Sequence, residues 1–260
     1  MKRILQLTDL HVFADENALL KGIPTRHLLK DVLKAVSNLG LMFDHVVVTG
    51  DHTHDELPES YQAVRELLEP WIGILRQVPG NHDDRSVLRS VFSDRIPGNG
   101  SELVQFWFTA EQWLCVGLDT HLPGEVSGQI QPEQIEWLET HIKAHPDYNV
   151  ILFMHHPPVD LNSVWMDRIG LKQKELLQAL VLRTPQVRLI CCGHVHHEST
   201  ISLHTATVVT TPSTGIQFDP TGDAPHFVKL APGFRIIELD NDRFSTRVIR
   251  LPEAHFTPTN

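Results

Sequence analysis

The chain lacks any hydrophobic run of membrane-spanning length, and only three of its 260 residues are cysteines. Cys191 and Cys192 are adjacent and Cys115 stands alone, an arrangement that argues against a disulfide framework. Reduced thiols are typical of the cytoplasm, which is therefore the predicted location. The apolar run that begins at Ile4 is interrupted by Gln6, so we expect no secretory signal segment and no membrane partner.

Positive charge is also scarce, since 22 Lys and Arg residues stand against 32 Asp and Glu residues and the net charge is −10 with His neutral. A surface of this sign repels a phosphate backbone, so we expect no nucleic-acid partner. A phosphate-bearing ligand would need a local positive centre, which metal ions can provide. Flexible linkers and internal repeats are missing too, and we predict that residues 1–260 form a single domain.

Short apolar segments alternate with helical patterns as far as about residue 192. The predicted strands cover residues 4–8, 45–49, 73–78, 113–118, 150–154 and 187–192. Helices are predicted over 25–39, with Thr25 as N-cap, and over 132–145. This alternation is typical of βαβ crossovers, and it predicts an α/β fold in which two sheets pack face to face with helices outside.

The last part of the chain, roughly residues 200–260, changes to a β-rich pattern. We expect it to pack on the second sheet and to serve as a dimerisation element or as a cap over the substrate. Phe227 and Phe234 look exposed, so a homodimer through this tail is predicted.

Side chains with metal-binding chemistry follow five of the predicted strands. Because open α/β folds gather their ligands at the carboxyl ends of strands, we expect all five clusters to project from the same edge of one sheet. On an extended backbone, residues two apart such as Asp9 and His11 point to the same side. The clusters supply enough donors for two ions, and they are Asp9-Leu10-His11, Gly50-Asp51, Gly80-Asn81-His82-Asp83, His155-His156 and Gly193-His194-Val195-His196.

Each cluster alone has an ordinary explanation. Asp51 could be a helix cap or turn residue, and one of His155 and His156 could be a core histidine. The Gly80 to Asp83 loop is more specific, since an amide, an imidazole and a carboxylate rarely share one loop without a task. All five clusters together favour a binuclear metal centre.

At these residues the chain resembles the calcineurin-like metallophosphoesterases, whose pattern D-x-H, G-D, G-N-H-D/E, H and G-H-x-H runs here from Asp9 to His196. It is most similar to the bacterial class III 3′,5′-cyclic-AMP phosphodiesterases, through residues 8–11, 20–22, 211–214, 217–218 and 231–235. The resemblance implies the metallo-dependent phosphatase fold, a four-layer α/β/β/α sandwich of two mixed sheets with outer helices.

The resemblance also implies roles for individual residues. Asp51 would bridge two divalent or trivalent ions of Fe, Mn, Zn or Co. Asp51 and His82 would be catalytic, and Asn81, His82 and His155 would contact the substrate. The remaining ligands would be Asp9, His11 and His196 for the first ion, and Asn81, His155 and His194 for the second.

The implied reaction is hydrolysis of a small phosphodiester, preferentially 3′,5′-cyclic AMP, by in-line attack of a metal-bridging hydroxide. His82 would assist the leaving alkoxide, with either Asp55 or Asp83 orienting it. His52 and His54 depart from the family pattern, which puts specificity in doubt.

Two alternatives stay open. One is another phosphoester substrate, such as a glycerophosphodiester, a 2′,3′-cyclic nucleotide or a nucleotide diphosphate derivative. The other is a non-catalytic, metal-stabilised scaffold. Loops at residues 13–24, 52–58, 120–130, 158–170 and 215–228 are expected to decide the substrate.

Overall fold

The computed structural model describes residues 1–259, which form two large β-sheets, two short ribbons and six α-helices. The strands are β1 (Lys2–Leu7), β2 (His45–Thr49), β3 (Leu75–Val78), β4 (Phe106–Ala110), β5 (Trp113–Gly117), β6 (Gly128–Gln129), β7 (Asn149–Met154), β8 (Leu171–Lys172), β9 (Val187–Cys192), β10 (Ser199–Leu203), β11 (Ala206–Thr210), β12 (Gln217–Asp219), β13 (His226–Val228), β14 (Gly233–Asp240) and β15 (Arg243–Arg250). The helices are α1 (Thr25–Asn38), α2 (Pro58–Leu67), α3 (Arg85–Val91), α4 (Pro132–Ala144), α5 (Val164–Arg168) and α6 (Lys174–Arg183), with a 3-10 helix over Glu69–Ile74.

Both large sheets are mixed. The first has the order β15-β14-β1-β2-β3, in which β1, β2 and β3 are parallel, β14 pairs antiparallel with β1, and β15 pairs antiparallel with β14. The second has the order β10-β11-β9-β7-β5-β4, with four parallel inner strands and an antiparallel strand at each edge. The parallel strands of each sheet therefore end together, where open α/β folds hold their ligands.

Three apolar cores separate four layers. Ile4, Val47 and Phe153 belong to the core between the two sheets. Val32 of α1 packs against the outer face of the first sheet, and Leu138 of α4 against that of the second. The predicted α/β fold with two mixed sheets between helices is confirmed.

The β-rich tail does not follow the prediction. We expected it on the second sheet, but only β10 and β11 join that sheet, whereas β14 pairs antiparallel with β1 in the first. Alternating polarity predicts that one strand face is buried, but it carries no information on which strand becomes the partner. Phe234 on β14 is fully buried, so it cannot pair subunits, and the predicted homodimer loses that support.

Buried polar side chains join the two sheets beneath the ligand loops. Gln6 of β1 donates to Thr49 Oγ1 at 3.0 Å and to the Cys192 carbonyl oxygen at 3.3 Å. Thr211 donates to Gln6 Oε1 at 2.9 Å, and Arg235 donates to Thr211 at 2.9 Å. Because buried polar groups are costly to leave unpaired, these contacts fix how the sheet ends face each other.

Thr25 has a different role from the one predicted. The residue at the N-cap of α1 is Pro24, and Thr25 Oγ1 instead donates to the carbonyl oxygen of His11 at 2.7 Å. The helix thereby holds a loop of the candidate site. Within residues 1–259, none of the helices has the length and apolar character that a membrane crossing requires.

Candidate metal centre

Five loops bring the predicted ligands to one place between the sheets. They follow β1, β2, β3, β7 and β9 at their carboxyl ends, and they carry all seven predicted ligand residues. Three of the loops come from the first sheet and two from the second, so the prediction of a single sheet edge is wrong: the site forms where the ends of two packed sheets meet. Asp9 and His155 are fully inaccessible to solvent, and Asp51 is 2% exposed. The donors therefore sit in an environment of low dielectric, where charge needs a partner.

The first group of donors comprises Asp9, His11, Asp51 and His196, whose ligating atoms lie within 4.8 Å of one another. His196 Nε2 is 3.2 Å from Asp9 Oδ1 and 3.1 Å from His11 Nε2. His11 Nε2 is 3.5 Å from Asp51 Oδ2. Donors around one transition-metal ion at about 2.1 Å have separations of this size.

The second group shares Asp51 with the first. Asn81 Oδ1 lies 3.0 Å from His194 Nδ1 and 3.2 Å from His155 Nε2. His155 Nε2 is also 3.4 Å from Asp51 Oδ1. The two carboxylate oxygens of Asp51 thus face different groups, which is the arrangement of a bridging ligand.

Backbone carbonyls set the protonation of three of the imidazoles. His155 Nδ1 donates to the Thr49 oxygen at 2.7 Å, His194 Nε2 to Ile169 at 3.0 Å, and His196 Nδ1 to Ile216 at 2.8 Å. Each bond leaves the other ring nitrogen as the one that faces the donors, as metal-bound histidines require.

The ring nitrogens and carboxylate oxygens that face one another show whether these residues can hold metal ions. His196 Nε2, without a proton, would repel the carboxylate oxygen of Asp9 at 3.2 Å unless a cation or a second proton lay between them. The donor set is oxygen and nitrogen with no sulfur, which suits Fe, Mn, Co or Zn. The residues present therefore fit a pair of transition-metal ions.

The backbone reaches this geometry in a way that strand alternation does not describe. Strand β1 ends at Leu7, and both Asp9 and His11 adopt left-handed conformations with φ of 52° and 45°. The same holds for Asp51, His194 and His196, with φ of 52°, 68° and 44°. Such conformations are unfavourable for these residues and persist where the surroundings impose them, typically at functional sites.

Two glycines allow the loops after β2 and β3 to touch. Gly50 has φ of 93°, and a Cβ there would meet the His155 ring and lie 2.7 Å from the Gly80 backbone. A Cβ on Gly80 would collide with Asp51 Oδ1. Neither position tolerates a side chain without moving a ligand.

Electrostatics in the metal-free protein follow from the two buried carboxylates. Burial lowers the pKa of His155, but the carboxylates of Asp51 and Asp9 outweigh it and raise that pKa to about 9. Burial lowers the pKa of His11 well below 6.5 and that of His194 to about 3. Burial alone would raise the pKa of Asp51, yet the neighbouring His155 and His11 hold it well below its usual value.

His156 lies against the ligands without being one. Its Nδ1 is 2.8 Å from Thr120 Oγ1, and its Nε2 bonds the Val126 carbonyl oxygen at 3.0 Å. Both ring nitrogens are therefore occupied, although the ring packs 4.3 Å from that of His194. His156 supports the ligand rings from behind.

Asp83 holds the Gly80 to Asp83 loop closed. Its carboxylate accepts bonds from His52 Nδ1 at 2.9 Å, from the Gly80 N–H at 2.9 Å and from the Tyr61 hydroxyl at 3.1 Å. His52 is thus a buried support for this loop. The neighbouring His52 and the Gly80 N–H hold the pKa of Asp83 below its usual value despite burial.

His54 and His82 form a stacked pair, with ring centroids 4.6 Å apart and planes at 25°. His54 Nδ1 lies 3.3 Å from His11 Nδ1, so His54 contacts the rear of a ligand. The His82 N–H donates to Asp51 Oδ1 at 2.9 Å. Asp55 accepts from the Ala14 N–H at 2.9 Å, and an orienting role of Asp55 or Asp83 towards His82 stays a prediction.

A cavity of about 310 Å³ opens over the donors. All five loops expected to decide the substrate contribute to its wall, through Lys21, His54, Val126, Ile169 and Phe227 among others. Asn81 and His82 line it, and their contact with substrate stays a prediction. His155 is completely buried, so it can reach an ion but not a ligand in the cavity.

Comparison with known proteins agrees with this geometry. The sequence profile described as calcineurin-like phosphoesterase matches residues 2–198, more than half of the chain. The chain belongs to the calcineurin-like phosphoesterase family. The phosphoesterase is 32% identical over 257 residues to the 3′,5′-cyclic adenosine monophosphate phosphodiesterase CpdA of Escherichia coli strain K12, covering 98% of this chain and 92% of the relative. It is 31% identical over 250 residues to the 3′,5′-cyclic-nucleotide phosphodiesterase alr5338 of Nostoc sp. strain PCC 7120, covering 96% and 92%.

Solved structures share the fold. A dimetal phosphatase from Danio rerio superposes with a TM-score of 0.68 at 16% identity, covering 100% of this chain and 99% of the other. GAP50, the anchor in the inner membrane complex of Plasmodium, gives 0.61 at 15% identity, covering 100% and 89%. At these identities the likeness concerns the fold alone.

Several groups at the phosphoesterase site carry no sequence signal. The carbonyls of Thr49, Ile169 and Ile216 fix histidine tautomers, but every residue has a carbonyl. His54 stands out in sequence only as a departure from the family pattern. Its contact with His11 depends on how the loops after β1 and β2 meet.

Asp51→Asn should remove most of the bound metal, because it takes away the negative charge that both donor groups share. We expect elemental analysis after manganese loading to fall from about two ions per chain to well under one. Asp55→Asn is the matched control, since that carboxylate bonds the Ala14 N–H and faces neither donor group. Full occupancy in Asp51→Asn would contradict the bridging geometry.

Manganese binding should release the proton of His155 and strengthen as pH rises. His155 keeps its proton up to about pH 9, whereas His11 and His194 are neutral and Asp51 is ionised near pH 7. Apparent affinity should rise about tenfold per pH unit up to about pH 9 and then level off. Calorimetry in buffers of different ionisation enthalpy counts the protons.

The raised pKa of His155 affects the stability of the metal-free protein in the opposite direction: stability falls as pH rises, whereas metal affinity increases. Because the pKa of His155 is raised on folding, its proton stabilises the fold fully below pH 6.5, and that contribution disappears as pH rises through about 9.

A manganese affinity that does not change between pH 7 and pH 9 would contradict the raised pKa of His155.

Proposed function

We propose that this phosphoesterase is a binuclear-metal phosphodiesterase that hydrolyses a cyclic nucleotide, with 3′,5′-cyclic AMP as the preferred substrate. The observation that carries the proposal is the carboxylate of Asp51, whose two oxygens face two separate donor groups. The names of the relatives at 31–32% identity support the substrate class.

The ligands would be the seven residues of the two donor groups. When bound, two ions supply an acidified water and concentrated positive charge, the chemistry that hydrolysis of a phosphodiester needs. Two divalent ions outweigh the carboxylates of Asp9 and Asp51. The cavity would then attract an anionic phosphodiester although the whole chain carries a net charge of −10.

His82 is the residue best placed to act on the leaving group. It lines the cavity, its backbone is held by Asp51, and its ring is supported by stacking on His54 and by an edge contact with His11 at 5.0 Å. A ring held this way can donate a hydrogen bond or a proton to the ribose alkoxide as it leaves phosphorus. Asn81 shares the cavity wall and would contact the substrate from the neighbouring position.

A comparison of substrates tests the proposed function. After defined manganese loading, we expect the protein to hydrolyse 3′,5′-cyclic AMP with a higher kcat/KM than 2′,3′-cyclic AMP or a glycerophosphodiester. A chelator should abolish the activity, since the chain offers no paired serine or cysteine nucleophile at this site. Preference for another phosphodiester would overturn the substrate, and no metal-dependent hydrolysis at all would support a scaffold.

His82→Ala should lower kcat by about 10²- to 10⁴-fold while two ions per chain remain bound. The variant removes the group that donates a proton to the leaving alkoxide, but it removes none of the seven metal ligands. Steady-state kinetics and elemental analysis measure the two effects separately. His27→Ala is a suitable control, since its imidazole is exposed on α1 beside Asp31. Unchanged turnover in His82→Ala would show that another group assists the leaving alkoxide.

A further inference from the structure

One wall of the cavity is aromatic and belongs to a ribbon outside both main sheets. Strands β12 and β13 pair antiparallel with Phe218 directly opposite Phe227. Directly opposed residues project from the same face of a two-stranded ribbon, and both rings line the cavity. Trp165 of α5 completes this surface, with its ring 5.4 Å from that of Phe218. We call these three residues the aromatic wall.

The aromatic wall is held in place relative to the first donor group. The Phe218 ring stacks on the His196 ring at 4.0 Å with an interplanar angle of 4°. The His196 Nδ1–H donates to Ile216, one residue before the ribbon. On the other side, Trp165 Nε1 donates to the Asp219 carbonyl oxygen at 3.3 Å. The distance from metal donors to aromatic surface is therefore set by packing.

The ammonium group of Lys21 lies at the rim of the cavity, beside the aromatic wall. Leu20 and Ile23 bridge a tight turn in which Lys21 and Gly22 have φ of 50° and 82°. The turn aims Lys21 over the cavity, with Nζ 5.6 Å from the centroid of the Phe227 ring. Thr259 near the end of the chain donates its N–H to the Lys21 carbonyl oxygen at 2.8 Å and steadies the turn.

The cavity offers more than a phosphoester alone requires. The donor groups account for the phosphate, whereas an aromatic surface contributes nothing to binding phosphate or a small glycerol ester. Stacking of a flat heterocycle on aromatic side chains does stabilise binding, and an ammonium at the rim can donate to ring nitrogens. A volume of about 310 Å³ is at the lower end of the range for small-molecule sites, so the cavity suits one compact ligand.

We propose that the aromatic wall, with Lys21 at its rim, is the subsite for the base of the nucleotide, and that it selects nucleotides over phosphodiesters without a base. This inference rests on the proposed function, because the phosphate must sit on the metal centre for the base to reach the wall. It assigns the choice of substrate to the ribbon β12–β13 and α5 and not to the metal ligands.

Binding to the manganese-loaded protein tests the subsite without relying on turnover. The probes are 5′-AMP, ribose 5-phosphate and inorganic phosphate, measured by calorimetry. We expect 5′-AMP to bind about tenfold more tightly than ribose 5-phosphate, the gain typical of one stacked base. Phe227→Ala should abolish this difference and leave the affinity for ribose 5-phosphate unchanged.

Two further variants keep the result interpretable. Phe227→Leu preserves apolar volume but has no aromatic face, so it should also lose the preference for 5′-AMP even if the alanine variant folds poorly. Trp107→Ala is the matched control, since Trp107 is an exposed aromatic residue on the edge strand β4, outside the cavity lining. It should retain the tenfold preference.

The outcomes separate this inference from the proposed function. Equal affinity for 5′-AMP and ribose 5-phosphate, with metal-dependent hydrolysis intact, overturns the base subsite alone. An equal loss of affinity for both probes in Phe227→Leu also overturns it, because the wall would then only support the metal centre. If none of the three phosphates binds the manganese-loaded protein, the phosphodiesterase proposal fails and the subsite fails with it.

Discussion

The burial of two carboxylates between the sheets is the constraint on which the rest of the structure depends. Asp9 and Asp51 are almost completely removed from water, where an unpaired charge would cost several kcal/mol. Hydrogen bonds offset part of that cost: Asp9 accepts from the His194 N–H at 3.1 Å and Asp51 from the His82 N–H at 2.9 Å. The remaining charge draws a proton onto His155 in the metal-free protein, and it provides the attraction for cations when they are present.

Such a concentration of charge requires rigid surroundings, which polar side chains provide together with the apolar cores. Gln6, Thr211 and Arg235 link the two sheets directly below the ligand loops, while Asp83 closes the loop that carries Asn81 and His82. Five ligands adopt left-handed backbone conformations, each unfavourable by about 1–2 kcal/mol. Conformations of this kind persist where the surrounding structure holds them. The stability of the fold is thus used to hold donors at separations that an ion can bridge.

The metal centre and the rest of the cavity wall come from different segments of the fold. Metal donors and His82 come from loops that directly follow parallel strands, so their positions are tied to the sheets. The surfaces that a substrate would meet beyond the phosphate come from additions to these sheets, namely the turn at Lys21, helix α5 and the ribbon β12–β13. These additions touch the ligands of the centre at a few points, through the stacking of Phe218 on His196 and the carbonyl oxygens of Ile169 and Ile216, which accept from His194 and His196. A change of substrate within the family could therefore proceed through these additions without disturbing the metal chemistry.

The sequence by itself determined the strands that end at the site and the residue types that follow them. Apolar runs before Asp9, Asp51, Asn81, His155 and His194 predict buried strands whose carboxyl ends carry these side chains, but the meeting of the three loops of the first sheet with the two loops of the second depends on how the sheets pack.

Tertiary structure decided everything that depends on which distant segments meet. It placed β14 beside β1, brought Asp83 to His52, and gathered Trp165, Phe218 and Phe227 on one wall. Local periodicity reports whether a residue is buried. The partner it is buried against depends on register, loop closure and packing across the whole chain, and a linear pattern does not encode these.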